Sequence, residues 1–462
     1  MSTATLTHLR VVRAEDDPRR LAAYHAMRRR AFVEQQGLFA REDLDDHDAA
    51  PGIRVLVAVD HHGDVLGGVR LHPVGDDPAL GWWRGSRLVC SEVLGLRRGA
   101  VGAALVRAAC GEARRAGALR FDAHVQARHA SFFARLGWDD VRALDVGGAA
   151  HRLMRWPVLR LAALAQSTKA PLGPLLAEAL GTPAPWLGDD GVPVAGSDLV
   201  ACTDAILPAM VDGDPEWAAW CAMLVTAHDL SAMGASPVGA LDALAAPDAE
   251  HAQRLVRGLR AGADAFRLPV LGGHTQLGVS AALSVSGLGR TTHPVPAGGG
   301  TAGDTLSVTA DLHGGWRRGY GHRQWDSSTS RSRDELAQML DAVGVARPRA
   351  AKDVSMAGVV GTTGMLAEAS GCGAELDVAA IPRPPGTDAG DWLTCFPGFA
   401  MVTADRRDAP PLPAGPATGA ACGVLTSTPG VRLRWPDGDV TTAIPAGVTG
   451  LGPAAPTQEP TA

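Results

Sequence analysis

Four short stretches between residues 187 and 358 place aspartate where a hard cation could be held. Asp189 and Asp190 follow Leu187-Gly188, and Asp204 ends the strand-like run VACTD. Asp229 lies in TAHDLSAMGASP and Asp353 in AKDVSMAG. Each stands among small residues at the end of an element, the setting in which carboxylates converge on Mg²⁺ while a nucleotide's phosphates fill the rest of its shell. One such Asp alone would be a helix cap or a turn residue. The repetition of the setting makes the group a candidate metal centre.

Cationic chemistry has few places to go. Among 43 basic residues only Lys169 and Lys352 are lysines. Lys169 lies in STKA ahead of the paired aspartates, and Lys352 directly precedes Asp353. A compact ammonium at these two points suits a phosphate. In the first half, Gly95–Leu105 reads GLRRGAVGAAL. A Gly/Ala-rich turn feeding a helix N-terminus is an anion site, because backbone N–H groups point outward and small residues let a pyrophosphate approach. The residues concerned are Arg97, Arg98, Gly99, Ala100, Val101 and Gly102.

The elements that must position these groups alternate in short units. Strands are expected at Ile53–Asp60 and Val65–His72, joined by a turn at His61–Asp64, and again at Ser86–Val93 and Leu119–His124. Helices are expected at Ala100–Ala116, Ser131–Leu136 and Leu159–Leu180. Further on, strands at Asp198–Thr203 and Ser280–Leu288 alternate with helices at Trp217–Met233, Ala249–Ala263 and Arg333–Ala342. The fold class is α/β (α+β), and the tail from Gly452 reads as disordered.

Composition narrows the function. The chain has 462 residues, enough for two or three domains, and 46% of them are hydrophobic. The 56 Gly and 32 Pro make about a fifth of the chain without a collagen period, which implies many turns. A net charge of −6 gives no footprint for nucleic acid or an anionic membrane. Seven scattered cysteines form no CxxC, so neither a zinc site nor a disulfide framework is expected. The opening MSTATLTHLRVVRAEDD is not a signal peptide, and no apolar run spans a bilayer, so a cytoplasmic protein is expected.

Two resemblances follow from these residues. The order hairpin, strand, Arg97–Gly102, helix, strand and FFARLGW (132–138) resembles the GNAT superfamily of N-acetyltransferases, over roughly residues 8–156. The resemblance implies a mixed sheet with helices, acetyl-CoA pyrophosphate over Arg97–Gly102, and Glu92 as a catalytic base near the central strand. Ala100 replaces the first glycine of the family pattern, and Phe133 stands where many members carry a proton-donating Tyr. The set LGDD (187–190), CTDA (202–205), AHDLSAMGASP (227–237), GGHT (272–275), GDTL (303–306) and AKDVSMAGVVGT (351–362) resembles the aminoimidazole-ribonucleotide (AIR) synthase-like superfamily.

That second resemblance implies a two-part α/β domain, forming a homodimer and binding ATP and a small-molecule substrate. Mg²⁺ would be held by Asp189 or Asp190, Asp204, Asp229 and Asp353. A turn at Gly272, Gly273, His274 and Thr275 would approach the phosphates, with Lys352 also binding them and Lys169 and His274 acting catalytically. No Cys lies between Cys110 and Cys202, which argues against the selenophosphate branch. The expected domains are 1–157, 158–302, 303–451 and a tail at 452–462. Two readings stay open. One is a fusion enzyme that activates a substrate oxygen with ATP and also transfers an acyl group. The other confines catalysis to the second half and makes the first a ligand-binding module.

Overall fold

A computed structural model describes residues 9–180 and 186–455. The chain divides into two compact units, one running to Arg160 and including Asp388–Gly390, the other comprising Leu161–Thr387 and the residues from Asp391 onward. Mixed sheets and helices build both, an α/β architecture.

The first unit contains β1 (Arg10–Arg13), α1 (Pro18–Arg28), β2 (Arg54–Val59), β3 (Val65–Pro73), β4 (Trp82–Cys90), α2 (Arg98–Arg115), β5 (Arg120–Gln126), α3 (Ala130–Ala134), β6 (Asp139–Val146) and β7 (Ala149–Trp156). Its seven strands lie in the order β1-β2-β3-β4-β5-β7-β6. The β2–β3 turn follows from Asp60, whose carboxylate accepts the His62 and Asp64 backbone N–H groups at 2.9 and 3.0 Å. Helix α2 buries Val101, Leu105, Val106, Ala109, Cys110 and Ala113, spaced at one helical face, against the sheet. Strand β4 stops at Cys90, short of the expected Val93, because Glu92–Arg97 turn into a 3₁₀ segment that leads straight into α2.

The second unit begins with α4 (Arg160–Thr168) and α5 (Leu172–Leu180). These replace the single helix expected over Leu159–Leu180. Pro171 has no N–H to continue the ladder and disfavours helical geometry at Ala170, so the chain breaks there. Next come β8 (Val192–Pro193), β9 (Leu199–Ala205), α6 (Pro208–Gly213), α7 (Pro215–Ala232), β10 (Ser236–Ala246), α8 (Ala249–Ala265), β11 (Val270–Leu277) and β12 (Ala282–Arg290). They form a five-stranded sheet in the order β11-β10-β12-β9-β8.

The remainder holds β13 (Thr305–Ala310), β14 (Gly315–Trp316), β15 (Gln324–Asp326), α9 (Arg333–Leu340), α10 (Ala342–Ala346), β16 (Ala350–Asp353), α11 (Gly358–Ala369), β17 (Gly373–Asp377), β18 (Phe396–Pro397), β19 (Ala400–Asp405), β20 (Thr418–Thr426), β21 (Val431–Arg434) and β22 (Val440–Ile444). A seven-stranded sheet runs β16-β19-β13-β20-β17-β21-β22, and a small sheet runs β14-β15-β18. One apolar core ties the two sheet regions of this unit together. Ala222, Leu230 and Met233 of α7 and its end pack in the same cluster as Val343, Ala351, Phe399 and Met401. The ends of α7 and β16 are therefore fixed relative to each other.

Gly452 and Ala454, in the tail expected to be disordered, are instead hydrogen-bonded. The Gly452 N–H donates to the Glu368 carboxylate at 3.2 Å and the Ala454 N–H to the Ala369 carbonyl at 2.9 Å, satisfying the end of α11. Residues 456–462, where the rest of that tail lies, are outside the described residues. All seven cysteines are free thiols. Among the described residues no helix is long and apolar enough to cross a membrane.

Candidate active site

Three of the five aspartates converge. One carboxylate oxygen each from Asp190, Asp229 and Asp353 lies within 4.8 Å of the others. Asp353 ends β16, the first strand in its sheet's order. Asp229 sits in the last turn of α7, whose C-terminal end carries a partial negative charge that disfavours a carboxylate. The helix stops cleanly there because Gly234 adopts φ +68° and lets the Ala235 N–H reach the Leu230 carbonyl at 2.8 Å. This is what the ASP-LEU-SER-ALA-MET-GLY stretch builds: a helix end with an acid one turn inside it.

Asp190 is held from two sides. The Lys352 ammonium pairs with its carboxylate and donates to the Gly188 carbonyl at 2.9 Å, while the Asp353 N–H donates to the other carboxylate oxygen at 3.0 Å. Lys352 is only 3% exposed. Its ammonium is thus engaged inside the protein with Asp190 and Gly188. Lys169 behaves differently. It lies just past α4, forms no ion pair among the described residues, and its charge lowers the carboxyls of both Asp204 and Asp353. Of the two lysines, this one has no ion-pair partner among the described residues while its charge acts on the acids.

Electrostatics mark the cluster as cation-hungry. Burial raises the Asp229 carboxyl well above the ordinary range, and repulsion from Asp353, Asp204 and Asp190 adds to it. Asp353 is raised by burial and by Asp190, against the pull of Lys352. Asp204, at the open end of β9, is raised by the surrounding protein, with Asp190 adding repulsion. Asp189 turns away from the trio. One of its oxygens accepts the Ala297 N–H at 3.0 Å, the other is buried without a partner, and burial pushes the group up to about 7. A hard divalent cation among Asp190, Asp229 and Asp353 would relieve this crowding, so the donor set fits Mg²⁺.

The GGHT segment is not a turn. Gly272, Gly273, His274 and Thr275 lie within β11, an edge strand whose every residue is exposed. Parallel pairing with β10 keeps these residues extended, and Gly273 is required because a Cβ there would strike the Asp242 side chain. A cross-strand row runs Gly273–Asp242–Val285–Asp204. Three strand spacings separate its ends, so GGHT lies about 14 Å across the sheet from Asp204. Behind Asp229, His228 is buried and neutral. Desolvation pulls it down to about 3, and its ring meets Phe399 edge to face at 5.6 Å. No spacing pattern singled it out.

In the first unit, Arg97–Ala100 are exposed at the start of α2, while Val101 and Gly102 are buried in its first turns. Glu92 is exposed in the 3₁₀ segment rather than on a strand, because β4 has already ended. Phe133 is 7% exposed and packs edge to face on Trp138, a core role. Strands β4 and β5 pair in parallel only as far as Gly85 and Ala123, although β4 runs on to Cys90 and β5 to Gln126. His124, the first residue of β5 past this pairing, is exposed. Surrounding protein and the Arg84 cation pull it down to about 4, leaving a neutral imidazole. The strand expected over Leu119–His124 ends on it but gave no reason to choose it.

The second unit's sheets and the carboxylate cluster they carry define an α/β class with a candidate metal centre. Residues 188–291 match the family described as AIR synthase related protein, N-terminal domain, and residues 287–409 match AIR synthase related protein, C-terminal domain. The uncharacterized protein sll0787 of Synechocystis sp. is 34% identical over 227 residues, which cover 48% of this chain and 70% of that one. The chain belongs to the AIR synthase related family, whose fold is that of ATP-dependent kinases and ligases. A thiamine-monophosphate kinase of Synechococcus elongatus is 30% identical over 152 residues, covering 30% of this chain and 46% of the kinase. The structure of T. maritima PurL complexed with ATP shares the fold, with a TM-score of 0.51 at 15% identity, covering 66% of this chain and 54% of that one.

Proposed function

We propose that the second unit is a Mg²⁺-dependent enzyme that transfers the γ-phosphoryl group of ATP to an oxygen of a small-molecule substrate. The observation that carries this reading is the convergence of Asp190 with the buried, raised Asp229 and Asp353, with the Lys169 charge acting on Asp353 and Asp204. Asp190, Asp229 and Asp353 would hold the cation, with Asp204 at the open side, and the cation would neutralise phosphate charge and align it. Lys352 holds Asp190 in place. Lys169 supplies positive charge to the transferring group. The substrate oxygen forms a bond to the γ-phosphorus while the bond to the ADP oxygen breaks, and the protein supplies alignment rather than a covalent intermediate. Retention of the phosphate gives a kinase, and its later expulsion by a nucleophile gives a ligase.

Calorimetric titration of Mg·ATP tests this reading. Binding should appear in the unaltered protein and vanish in Asp229→Asn. Binding by Asp229→Asn and Asp204→Asn equal to that of the unaltered protein would remove the assignment.

A second reading concerns the first unit, where the parting of β4 and β5 beside the exposed start of α2 supports an acyl-CoA site of GNAT type. A pantetheine arm would enter between the strands, with the pyrophosphate over Arg97–Gly102. With Phe133 in the core and Glu92 outside, His124 becomes the better-placed base for acyl transfer. Finally, the bare edge of β11 supports self-association. Val270, Leu271 and Leu277 are exposed on it, and Leu241 on the neighbouring strand is exposed too. An open apolar strand edge is a template for pairing, which a homodimer would satisfy.

A further inference from the structure

At the other end of α7 from Asp229 lies a cavity of about 450 Å³ lined by Asp214, Gly315, Trp316, Arg317, Arg318 and Asp326. Asp214 directly precedes α7, and the helix runs unbroken to Ala232. Fifteen residues at 1.5 Å rise put Asp214 roughly 22 Å from Asp229 along the helix. This cavity is therefore remote from the carboxylate cluster.

Its lining is built rather than incidental. The Arg317 guanidinium lies over the Trp217 indole at 4.1 Å and pairs with Asp326 at 3.3 Å and Asp214 at 3.8 Å. Asp326 also accepts the Thr329 N–H and hydroxyl, and the Tyr320 hydroxyl reaches Asp214 at 3.5 Å. Both acids and Arg317 are thus internally engaged. The Trp316 indole is fixed by near-parallel stacking on His322 at 4.9 Å and by Trp325 edge to face at 5.1 Å. The Trp217 indole N–H donates to Gln324 at 2.7 Å and that of Trp220 to Ser328 at 3.0 Å, so the β14–β15 region is pinned to α7.

Subtracting the satisfied groups leaves two features for a ligand. One is Trp316, a rigid aromatic surface. The other is Arg318, which is exposed and has no ion-pair partner among the described residues. An aromatic plane beside an uncommitted guanidinium suits a planar anion, the ring stacking and the anionic group taking a forked pair of N–H donors. A cation would find both carboxylates already occupied.

We infer that this cavity is a second ligand site, taking a small aromatic or heteroaromatic carboxylate independently of the phosphoryl-transfer centre.

Saturation-transfer NMR and calorimetry with nicotinate, indole-3-acetate and benzoate as probes, without ATP or Mg²⁺, test the inference. At least one probe should bind, and Arg318→Gln should weaken it tenfold or more with the thermal transition unchanged, since that side chain is exposed. Trp316→Leu should do the same. Asp229→Asn should leave the affinity unaltered, which separates this site from the proposed catalytic one. No probe binding at millimolar concentration, binding indifferent to Arg318→Gln, or binding lost with Asp229→Asn would each overturn it.

Discussion

Lys352 and Asp190, 162 residues apart in sequence, form a buried ion pair, and the residue after the lysine donates its backbone N–H to the same carboxylate. The pair fastens the segment carrying Asp190 to the strand carrying Asp353. Removing one partner from such a pair leaves an uncompensated buried charge, typically about 3–5 kcal/mol. Lys352→Met should therefore lower stability by at least about 3 kcal/mol in chemical denaturation. Excess Mg²⁺ should recover more stability in the variant than in the unaltered protein, because the cation replaces the missing charge.

Neutralising one acid of the cluster should have the opposite sign for the cation-free protein. Asp229 is disfavoured as an anion by burial, by three neighbouring carboxylates and by the end of α7. Asp229→Asn should unfold at the same or a higher temperature than the parent without cations. Mg·ATP at a hundred times its dissociation constant should stabilise the parent by about 2.7 kcal/mol and the variant not at all. Scanning fluorimetry with and without Mg·ATP checks both halves of the statement.

Asp189 gives a pH dependence. Burial holds its carboxyl at about 7, against roughly 3.9 in an unfolded chain. Between these values the folded protein binds a proton that the unfolded chain has released, so stability falls as pH rises. Its contribution is complete below pH 4 and is lost by about pH 7. Asp189→Asn removes the titration while keeping an acceptor for the Ala297 N–H. Urea denaturation from pH 5 to 8 should show the parent losing stability relative to this variant as pH increases. Parallel curves would contradict it.

The positions of Asp204, Asp229 and Asp353 were legible because each lies in a short local motif that dictates its own element end. Asp189 and Asp190 were not distinguishable, since adjacent residues in a turn point to different neighbours, and only the folded chain brings Ala297 to one and Lys352 to the other. Glycine misled at Gly272-Gly273. Local propensity favours a turn there, but pairing with β10 and the bulk of Asp242 require an extended strand with no Cβ. The broken helix at Pro171 was readable in principle, as proline in a helix interior removes a donor. His124 and Lys352's partner could not be read, because strand register and long-range pairing have no local signature.

The β11 edge predicts self-association. Leu271 is 58% exposed on a strand with one unpaired side. A charge at that position blocks edge pairing without entering the core. Leu271→Lys should shift the mass measured by light scattering from two chains to one, with the thermal transition of the monomer retained. A parent protein that is already monomeric at micromolar concentration would remove the homodimer.

Acyl-CoA binding by the first unit separates into affinity and turnover. Arg97 and Arg98 are exposed at the start of α2 and make no packing contribution that a charge reversal would disturb. Arg97→Glu with Arg98→Glu should weaken acetyl-CoA at least tenfold in calorimetry, with the circular dichroism spectrum unchanged. His124→Ala should leave that affinity intact and abolish any acetyl transfer to amines, since the variant removes the neutral imidazole and little packing. Binding without transfer in the parent would make the unit a ligand-binding module, and an absence of acetyl-CoA heat in the parent would end the acyl-CoA reading altogether.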